Sequence, residues 1–327
     1  LLAFSAWWYQ HDDAVSVPGA AVQDGEITPS IAVLPFVNMS DEPGNEYFAD
    51  GLSEELQSLL AKIPQLKVSA RTSSFAFRNK ELTVAEIAGA LNVDHLLEGS
   101  VRKTGDRIRI SVQLIEAKSG FELWSESYDR TLDDIFAVQD DVATSVVESL
   151  RIRLVKQPTP LRETNAEAYS LYLQALFFII KETREGRARA LEKLQEALAL
   201  DPGYAPAVER LATVYVMQSN AGERPFEAGY ELARSTALKA LEIDPGLATT
   251  WGTLTYIEAY YDWDWQAAGR SVEQMLERGP GNALTRRAAA MYYGVLGQFE
   301  HALELKNQAI QLDPITPDFR EQKVFSL

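Results

Sequence analysis

Three histidines, His11, His95 and His301, are the side chains best suited to bind a metal or move a proton near neutral pH. They fall in a polar stretch, at the start of an apolar run and on a helical pattern. None has a His, Asp or Glu partner at a metal-binding spacing such as HExxH. The carboxylate pairs Asp12/Asp13, Asp133/Asp134 and Asp140/Asp141 are adjacent in sequence. On a helix such neighbours point about 100° apart and cannot share a site. Asp133 and Asp134 instead suit a helix N-terminus, where the helix dipole favours anions. The run "EGSVRKTGDR" (98–107) gathers Gly, Ser, Lys and Arg as a phosphate loop would. It lacks the GxGxxG and P-loop spacings and reads as a hairpin with charged edges. No nucleophile elbow accompanies a Ser, His and Asp. The absence of cysteine removes disulfides, thiolate catalysis and Cys-based metal sites. The sequence therefore predicts no catalytic, cofactor-binding or metal-binding residue, and not an enzyme.

What remains is recognition, and the elements that position it are repeats. Ala190, Ala233, Ala268 and Ala302 are each followed seven residues later by Ala197, Ala240, Met275 and Ala309, and twelve later by Pro202, Pro245, Pro280 and Pro314. The period is 43, then 35, then 34 residues. A period near 34 with small residues at fixed helical offsets is the signature of a helix-turn-helix solenoid. The small residues let helices approach, and each Pro stops the second helix of a pair. This pattern resembles the tetratricopeptide repeat (TPR) family. The resemblance implies a superhelix whose concave face binds a protein or peptide.

The 327 residues allow two domains, and 46% apolar content is ample for buried cores. A net charge of −16 argues against nucleic acid and anionic lipid as general partners. The opening "LLAFSAWWYQ" is too short to span a bilayer, and it reads as the last turns of a transmembrane helix ending in an interfacial Trp7, Trp8, Tyr9 belt. The alternative is a partly buried N-terminal strand or helix. No Lys or Arg follows until Lys62, which favours a non-cytoplasmic side. The expectation is an inner-membrane anchor over 1–10 with the rest periplasmic, the alternative being cytoplasmic. Membrane contact would then be through this helix only.

Residues 11–29 read as a linker. Ser30 to Phe36 reads as a strand buried on both faces. "YFADGLSEELQSLLAKIP" is an amphipathic helix with Phe48, Leu52, Leu56, Leu59, Leu60 and Ile63 on one stripe. "LKVSARTSSF" offers a second strand and "TVAEIAGALNV" a short helix. Three strands follow. In the middle one Ile108, Ile110, Val112 and Leu114 alternate with Arg107, Arg109, Ser111 and Gln113, one face buried and one wet. A helix from Leu132 to Val155 carries Ile135, Val138, Val142, Val146, Leu150 and Leu154 on one stripe. The order βαβαβββα predicts an α+β domain over 30–154, its sheet covered by helices. "VKQPTPLRETN" (155–165) is a second linker, and 166–327 is the all-α TPR solenoid, expected to continue into a further helix at "TPDFREQKVFSL". The proline-containing linker predicts that the two domains unfold separately.

"IAVLPF", "YFADGLSEEL", "LLEGSVRKTGDRIRISVQLIEAKSGFELWSESYDR" and "DDIFAVQDDVA" resemble the TolB-like (FlgO-related) amino-terminal domain, over about residues 30–153. That domain is found joined to TPR repeats, C-terminal to a transmembrane helix that follows a class III nucleotide cyclase domain or a winged-helix regulator. The resemblance implies a non-enzymatic interaction or sensor module of a membrane-tethered bacterial signalling protein, its output domain lying before Leu1. An envelope assembly scaffold without a signalling role is the alternative, and an enzyme with an unrecognised site the third. An oligomer is compatible with each.

In TPR arrays the first helix of each pair lines the groove. The register of Tyr215, Leu254 and Tyr293 nominates Glu209, Thr213 and Val216 from one repeat, Tyr256 and Tyr260 from the next, and Arg287 and Met291 from the last. Glu209 and Thr213 stand where carboxylate-gripping TPRs place a basic clamp. The expected ligand is an extended neutral or basic peptide held by Tyr and Met contacts. The cluster Tyr256, Tyr260, Tyr261, Trp263 and Trp265 reads either as packing between repeats or as a peptide-anchoring surface.

Overall fold

A computed structural model describes residues 28–40, 43–152 and 164–315. The first part carries β1 (Ser30–Val33), β2 (Val37–Asn38), α1 (Glu46–Leu60), β3 (Lys67–Val68), α2 (Arg71–Phe75), α3 (Val84–Leu91), β4 (His95–Thr104), β5 (Arg107–Glu116), β6 (Glu122–Thr131) and α4 (Ile135–Ser149). The strands form one mixed sheet in the order β3-β1-β4-β5-β6, with β2 also paired to β4. β1 runs parallel to both β3 and β4, and β4-β5-β6 is an antiparallel meander.

Two expectations about element order are corrected. The run Ser30 to Phe36 is a strand only as far as Val33. Pro35 offers no N–H to a ladder, and Phe36 turns inward, its own N–H donating to Ser53 Oγ at 2.9 Å. Its ring lies over Gly99 on β4, where a Cβ would sit 2.8 Å from ring carbons. Pairing resumes as β2. "LKVSARTSSF" pairs over two residues only and then coils into α2. The order is thus ββαβααβββα. The stripe on α4 is buried as read at Ile135, Val138, Val142 and Val146, but the helix stops at Ser149 and Leu154 lies outside the described residues.

Period-2 patterning sets the layers. Ile31, Val33, Leu97, Val101, Ile108, Ile110, Val112 and Leu114 point to one face and are buried with the stripes of α1 and α4. Ala32, Leu34 and Leu96 point the other way, beneath α3 and Phe77. β1 is therefore buried on both faces. The outer face of β5 and β6 is wet, with Arg107 and Arg109 held by Asp129 at 3.2 and 2.6 Å.

The second part is an all-helical solenoid of four pairs: α5 (Ala166–Ile179) with α6 (Arg184–Leu200), α7 (Ala205–Asn220) with α8 (Phe226–Ile243), α9 (Ala248–Tyr260) with α10 (Trp265–Arg278), and α11 (Ala283–Val295) with α12 (Phe299–Leu312). The first helices α5, α7, α9 and α11 lie side by side and form the inner face. Ala190, Ala233 and Ala268 are fully buried at the close-approach positions. Ala302, on the last described helix, is only half-buried. Two of the turns between pairs use the Asp before the Pro: Asp201 and Asp244 accept from Gly203 and Gly246 N–H at 2.9 and 2.8 Å, whereas Pro280 follows Gly279. Residues 1–10, 11–27 and 316–327, with the expected membrane helix and further repeat helix, lie outside the described residues. Among those described, no helix is long and apolar enough to cross a membrane.

Candidate functional site: a groove filled by its own chain

The inner face of the solenoid is not open along its length. α1 packs against α5, and the two halves of the chain share one core. Phe48, Leu52 and Leu56 of α1 are buried in the same cluster as Tyr169, Tyr172, Leu173 and Leu176 of α5. The approach is close because α1 carries Gly51 at the crossing. A Cβ there would sit 2.7 Å from Leu173 Cδ2 and 3.0 Å from its Cβ. The Tyr169 ring meets Phe136 of α4 edge-on at 4.9 Å, and its hydroxyl accepts from Gln139 Nε2 at 2.8 Å. At the other end of the groove Gly281, before α11, abuts the carbonyl of Ala61, where a Cβ would sit only 2.7 Å from the oxygen.

Between these apolar contacts runs a charged seam. Glu54 of α1 lies 2.9 Å from Arg71 of α2 and 3.6 Å from Arg210 of α7. Asp50 pairs with Arg78 at 2.5 Å. Glu55, 5% exposed, accepts from the Tyr172 hydroxyl at 2.9 Å. Burial pushes the Glu55 carboxyl up to about 7, and neighbouring Glu54 adds to this, while the Tyr172 hydrogen bond, Arg210 and Lys62 oppose it. Burial likewise raises Asp50 against the pull of Arg78 and Arg71. Desolvation alone would lower Arg210, but Glu209, Tyr172, Glu54 and Glu55 around it hold its guanidinium above the usual value. The carboxylates and guanidiniums thus come from both halves of the chain and neutralise one another across the seam.

A second tie closes the ring. Asp313 occupies the turn position of Asp201 and Asp244, but two residues on stands Ile315 in place of Gly203 and Gly246. Its carboxylate, 1% exposed, instead accepts from Thr72 Oγ1 at 2.7 Å and Ser73 Oγ at 2.5 Å. Ala70 N–H donates to the Leu312 carbonyl at 2.7 Å, and Ile315 N–H to Ser73 Oγ at 3.1 Å. α2 is thereby moored to the end of α12.

The nominated groove residues fall into separate settings. Glu209 is buried, accepts from Thr249 Oγ1 and helps hold Arg210, so it is not a free carboxylate facing a ligand; this corrects the expectation for that residue. Thr213 is half-buried and its hydroxyl donates back to the Glu209 carbonyl at 3.3 Å. Val216 is half-buried against the shared core. Tyr256 lies between repeats. Its ring stacks on Tyr230 of α8 with centroids 6.5 Å apart, and its hydroxyl accepts from Asn220 Nδ2 at 3.2 Å. Tyr230 also stacks on Tyr261 at 4.9 Å, so this cluster packs repeats together. Tyr260 and Met291 are exposed, Tyr260 leaning on Tyr256 at 5.0 Å. Arg287 is half-buried one turn before Met291 on α11.

The chemistry set aside in the sequence has local structural partners. His95 Nδ1 lies 3.1 Å from the Ser30 carbonyl, and the His301 ring packs edge-on against Tyr293 at 4.4 Å. Asp134 closes a capping box with Thr131, whose hydrogen bonds pull the carboxyl below its usual value. "EGSVRKTGDR" is the β4–β5 hairpin, turning at Gly105 with φ of +57°. Among the described residues no group of three His, Cys, Asp or Glu could hold a metal. The space left in the seam is about 250 Å³ and touches Glu55, Arg71, Glu209, Arg210 and Asn282. That is below the usual size of a small-molecule site. A wider cleft of about 880 Å³ lies between α3 and α12, near Lys67, Asp94, Arg286 and Gln308.

Sequence reasoning missed the seam. Two signals were present in α1: a Gly in mid-helix, and Glu55 placed three residues after Leu52 and four before Leu59, within the apolar stripe.

Residues 27–145 match the family described as HilA/YgeH-like transcriptional regulator, second domain. Over 214 residues the chain is 39% identical to a Rhizobium meliloti (strain 1021) protein bearing the name adenylate cyclase 3. The match covers 63% of this chain and 36% of that protein, so the chain spans about a third of its relative's length. Among solved structures, a thermophilic TPR protein of Thermus thermophilus aligns over 58% of this chain and 91% of its own, at 20% identity and a TM-score of 0.42. TolB of Acinetobacter baumannii aligns over 37% of this chain and 28% of its own, at 18% identity and a TM-score of 0.28.

Proposed function

We propose that this chain is a non-enzymatic protein-interaction unit of a membrane-tethered bacterial signalling protein. In it a TolB-like α+β domain and a TPR-like solenoid move as one body. The observation that supports this reading best is the seam itself. α1 packs on α5 and reaches α7 through Glu54–Arg210, while α2 is tied to the end of α12, so a partner engaging the solenoid bears directly on the α+β domain. A binding protein meets the part of the array that α1 leaves uncovered, where Tyr260 and Met291 are exposed and Val216 and Arg287 are half-buried. An extended neutral or basic peptide suits that surface in a chain of net charge −16.

The reading places the chain on the periplasmic side of an inner membrane, tethered through a helix that ends near residue 10. The Trp7, Trp8, Tyr9 belt supports the tether, and the lack of Lys or Arg before Lys62 supports that side. The output would belong to a cyclase or regulator domain elsewhere in the longer protein, in keeping with the two names its relatives carry.

Site-specific photo-crosslinking in envelope extract tests it. A cross-linker at Met291 is expected to capture a defined protein, and one at enclosed Leu56 none. Failure at Met291, Tyr260 and Val216 alike would contradict the interaction reading, as would turnover of a nucleotide by the purified chain.

A further inference from the structure

β6 is the outer strand of the sheet, and among the described residues nothing pairs with its free edge. It runs ten residues without a proline, and all but Trp124 and Tyr128 are exposed. The one irregularity in its pairing with β5 lies at Leu114/Ile115, at the far end, leaving Ser125 to Thr131 regular. Such an edge is a template for another strand unless it is blunted by like charge, proline or a central bulge.

The ladder tells which backbone groups face outward. Leu132 N–H donates to the Asp106 carbonyl, and Tyr128 stands opposite Ile110 in the same register. Antiparallel ladders alternate, so Glu126, Tyr128 and Arg130 turn their backbone groups to β5, whereas Ser125, Ser127, Asp129 and Thr131 turn theirs outward. Of these the Thr131 N–H is held by Asp134 Oδ2 at 3.3 Å, and the Asp129 carbonyl accepts from Arg130 Nη1 at 3.1 Å, a contact that a second strand would replace. A second copy pairing antiparallel must match outward residues with outward residues. Centring the pair on Glu126 sets Glu126 against its own copy. Centring on Asp129 does the same for Asp129. Centring on Ser127 pairs no opposite charges. Centring on Tyr128 sets Glu126 opposite the second copy's Arg130 twice, by symmetry. Both contacts are then at wide, non-hydrogen-bonded positions, where side chains come closest. Ser127 meets Asp129 at the hydrogen-bonded positions, and Ser125 N–H meets the Thr131 carbonyl, the Thr131 N–H staying with Asp134.

We propose that β6 is a self-association edge. Two copies of this chain continue one sheet through an antiparallel β6–β6 pair centred on Tyr128, its register fixed by reciprocal Glu126–Arg130 pairs.

Sedimentation and light scattering of the purified chain at about 100 µM, well above the dissociation constants of specific complexes, are expected to show a dimer. Glu126→Arg or Arg130→Glu alone should weaken it about tenfold or more, because both symmetric contacts become like-charged. The double exchange Glu126→Arg/Arg130→Glu should restore it. Far-ultraviolet circular dichroism of each variant controls for folding. As the chain has no cysteine, an independent check mixes the single variants Glu126→Cys and Arg130→Cys. A disulfide should form between the two proteins faster than within either alone. A monomer at that concentration, a dimer indifferent to both reversals, or a monomer that takes up an extended peptide of another sequence along β6 would each overturn the proposal.

Discussion

The hydroxyl of Tyr172 on α5 donates to Oε1 of Glu55 on α1 at 2.9 Å, joining residues 117 apart in the chain across a buried seam. Around that bond lie the contacts that make the α+β domain and the helical array one structure. They also determine how the protein should respond to pH and substitution.

Glu55 makes stability fall as pH rises. Its carboxyl is raised from 4.5 to about 7 in the folded chain, chiefly by burial. Below pH 4.5 it is neutral in both folded and unfolded states. Between 4.5 and 7 the unfolded chain ionises first, and stability declines by up to about 3 kcal/mol before levelling above 7. Glu55→Gln keeps an acceptor for Tyr172 without the charge. Urea unfolding from pH 4.5 to 8 should show the variant matching the parent at the acid end and exceeding it at pH 8. Parallel curves would contradict the assignment.

Gly51 tests the helix crossing. Gly51→Ala gains about 1 kcal/mol of helix propensity but places a Cβ against Leu173, so its net effect should be small or mildly destabilising. Gly51→Val adds bulk without that gain and should cost about 1–3 kcal/mol. Thermal unfolding decides it, and a stabilised Gly51→Val would mean that α1 and α5 are not this close.

Asp313 is expected to matter more than its sequence equivalent Asp244. Asp313→Ala removes the acceptor of the buried Ser73 hydroxyl and of the exposed Thr72 hydroxyl and should cost about 1.5–3 kcal/mol, chiefly through Ser73, since a hydrogen bond to a charged group contributes about that much. Asp244→Ala loses one exposed turn bond to Gly246 and should cost about 1 kcal/mol or less. Equal losses in denaturant titrations would argue against the α2 mooring.

Overpacking should separate interior from terminal repeats. Ala268→Trp fills a fully buried close-approach position, whereas Ala302→Trp adds bulk at a half-buried one. The helical signal at 222 nm should be lost at a lower temperature for Ala268→Trp. The reverse order would show that the repeat register is wrong.

Much of the architecture was legible because it is written in short-range periodicity. The alternation from Arg107 to Leu114, the capping Asp134, and the Ala and Pro offsets of the repeats each report a local constraint. The strand read through Phe36 failed because apolar runs do not show where a proline breaks the ladder. "LKVSARTSSF" carries the second strand over Lys67–Val68 only, and its remainder coils because Ser73 is claimed by Asp313, 240 residues away. The groove residues were assigned from repeat register alone. That register cannot say whether a distant helix already fills the groove, nor that Glu209 would serve Arg210 and Thr249 and not a ligand. The expectation of separate unfolding rested on the linker, which is a local feature. The core joining Leu52 to Leu173 is not local, and it argues for a single transition.

Hydrogen exchange on the intact chain tests the central claim, that α1 fills the inner face of the solenoid as part of one cooperative unit. The most protected amides of α1 (46–60) and α5 (166–179) should exchange with the same free energy, equal to that of global unfolding, and should lose protection together in Gly51→Val. Exchange of α1 at a markedly lower free energy than α5, with α5 unchanged in Gly51→Val, would contradict it.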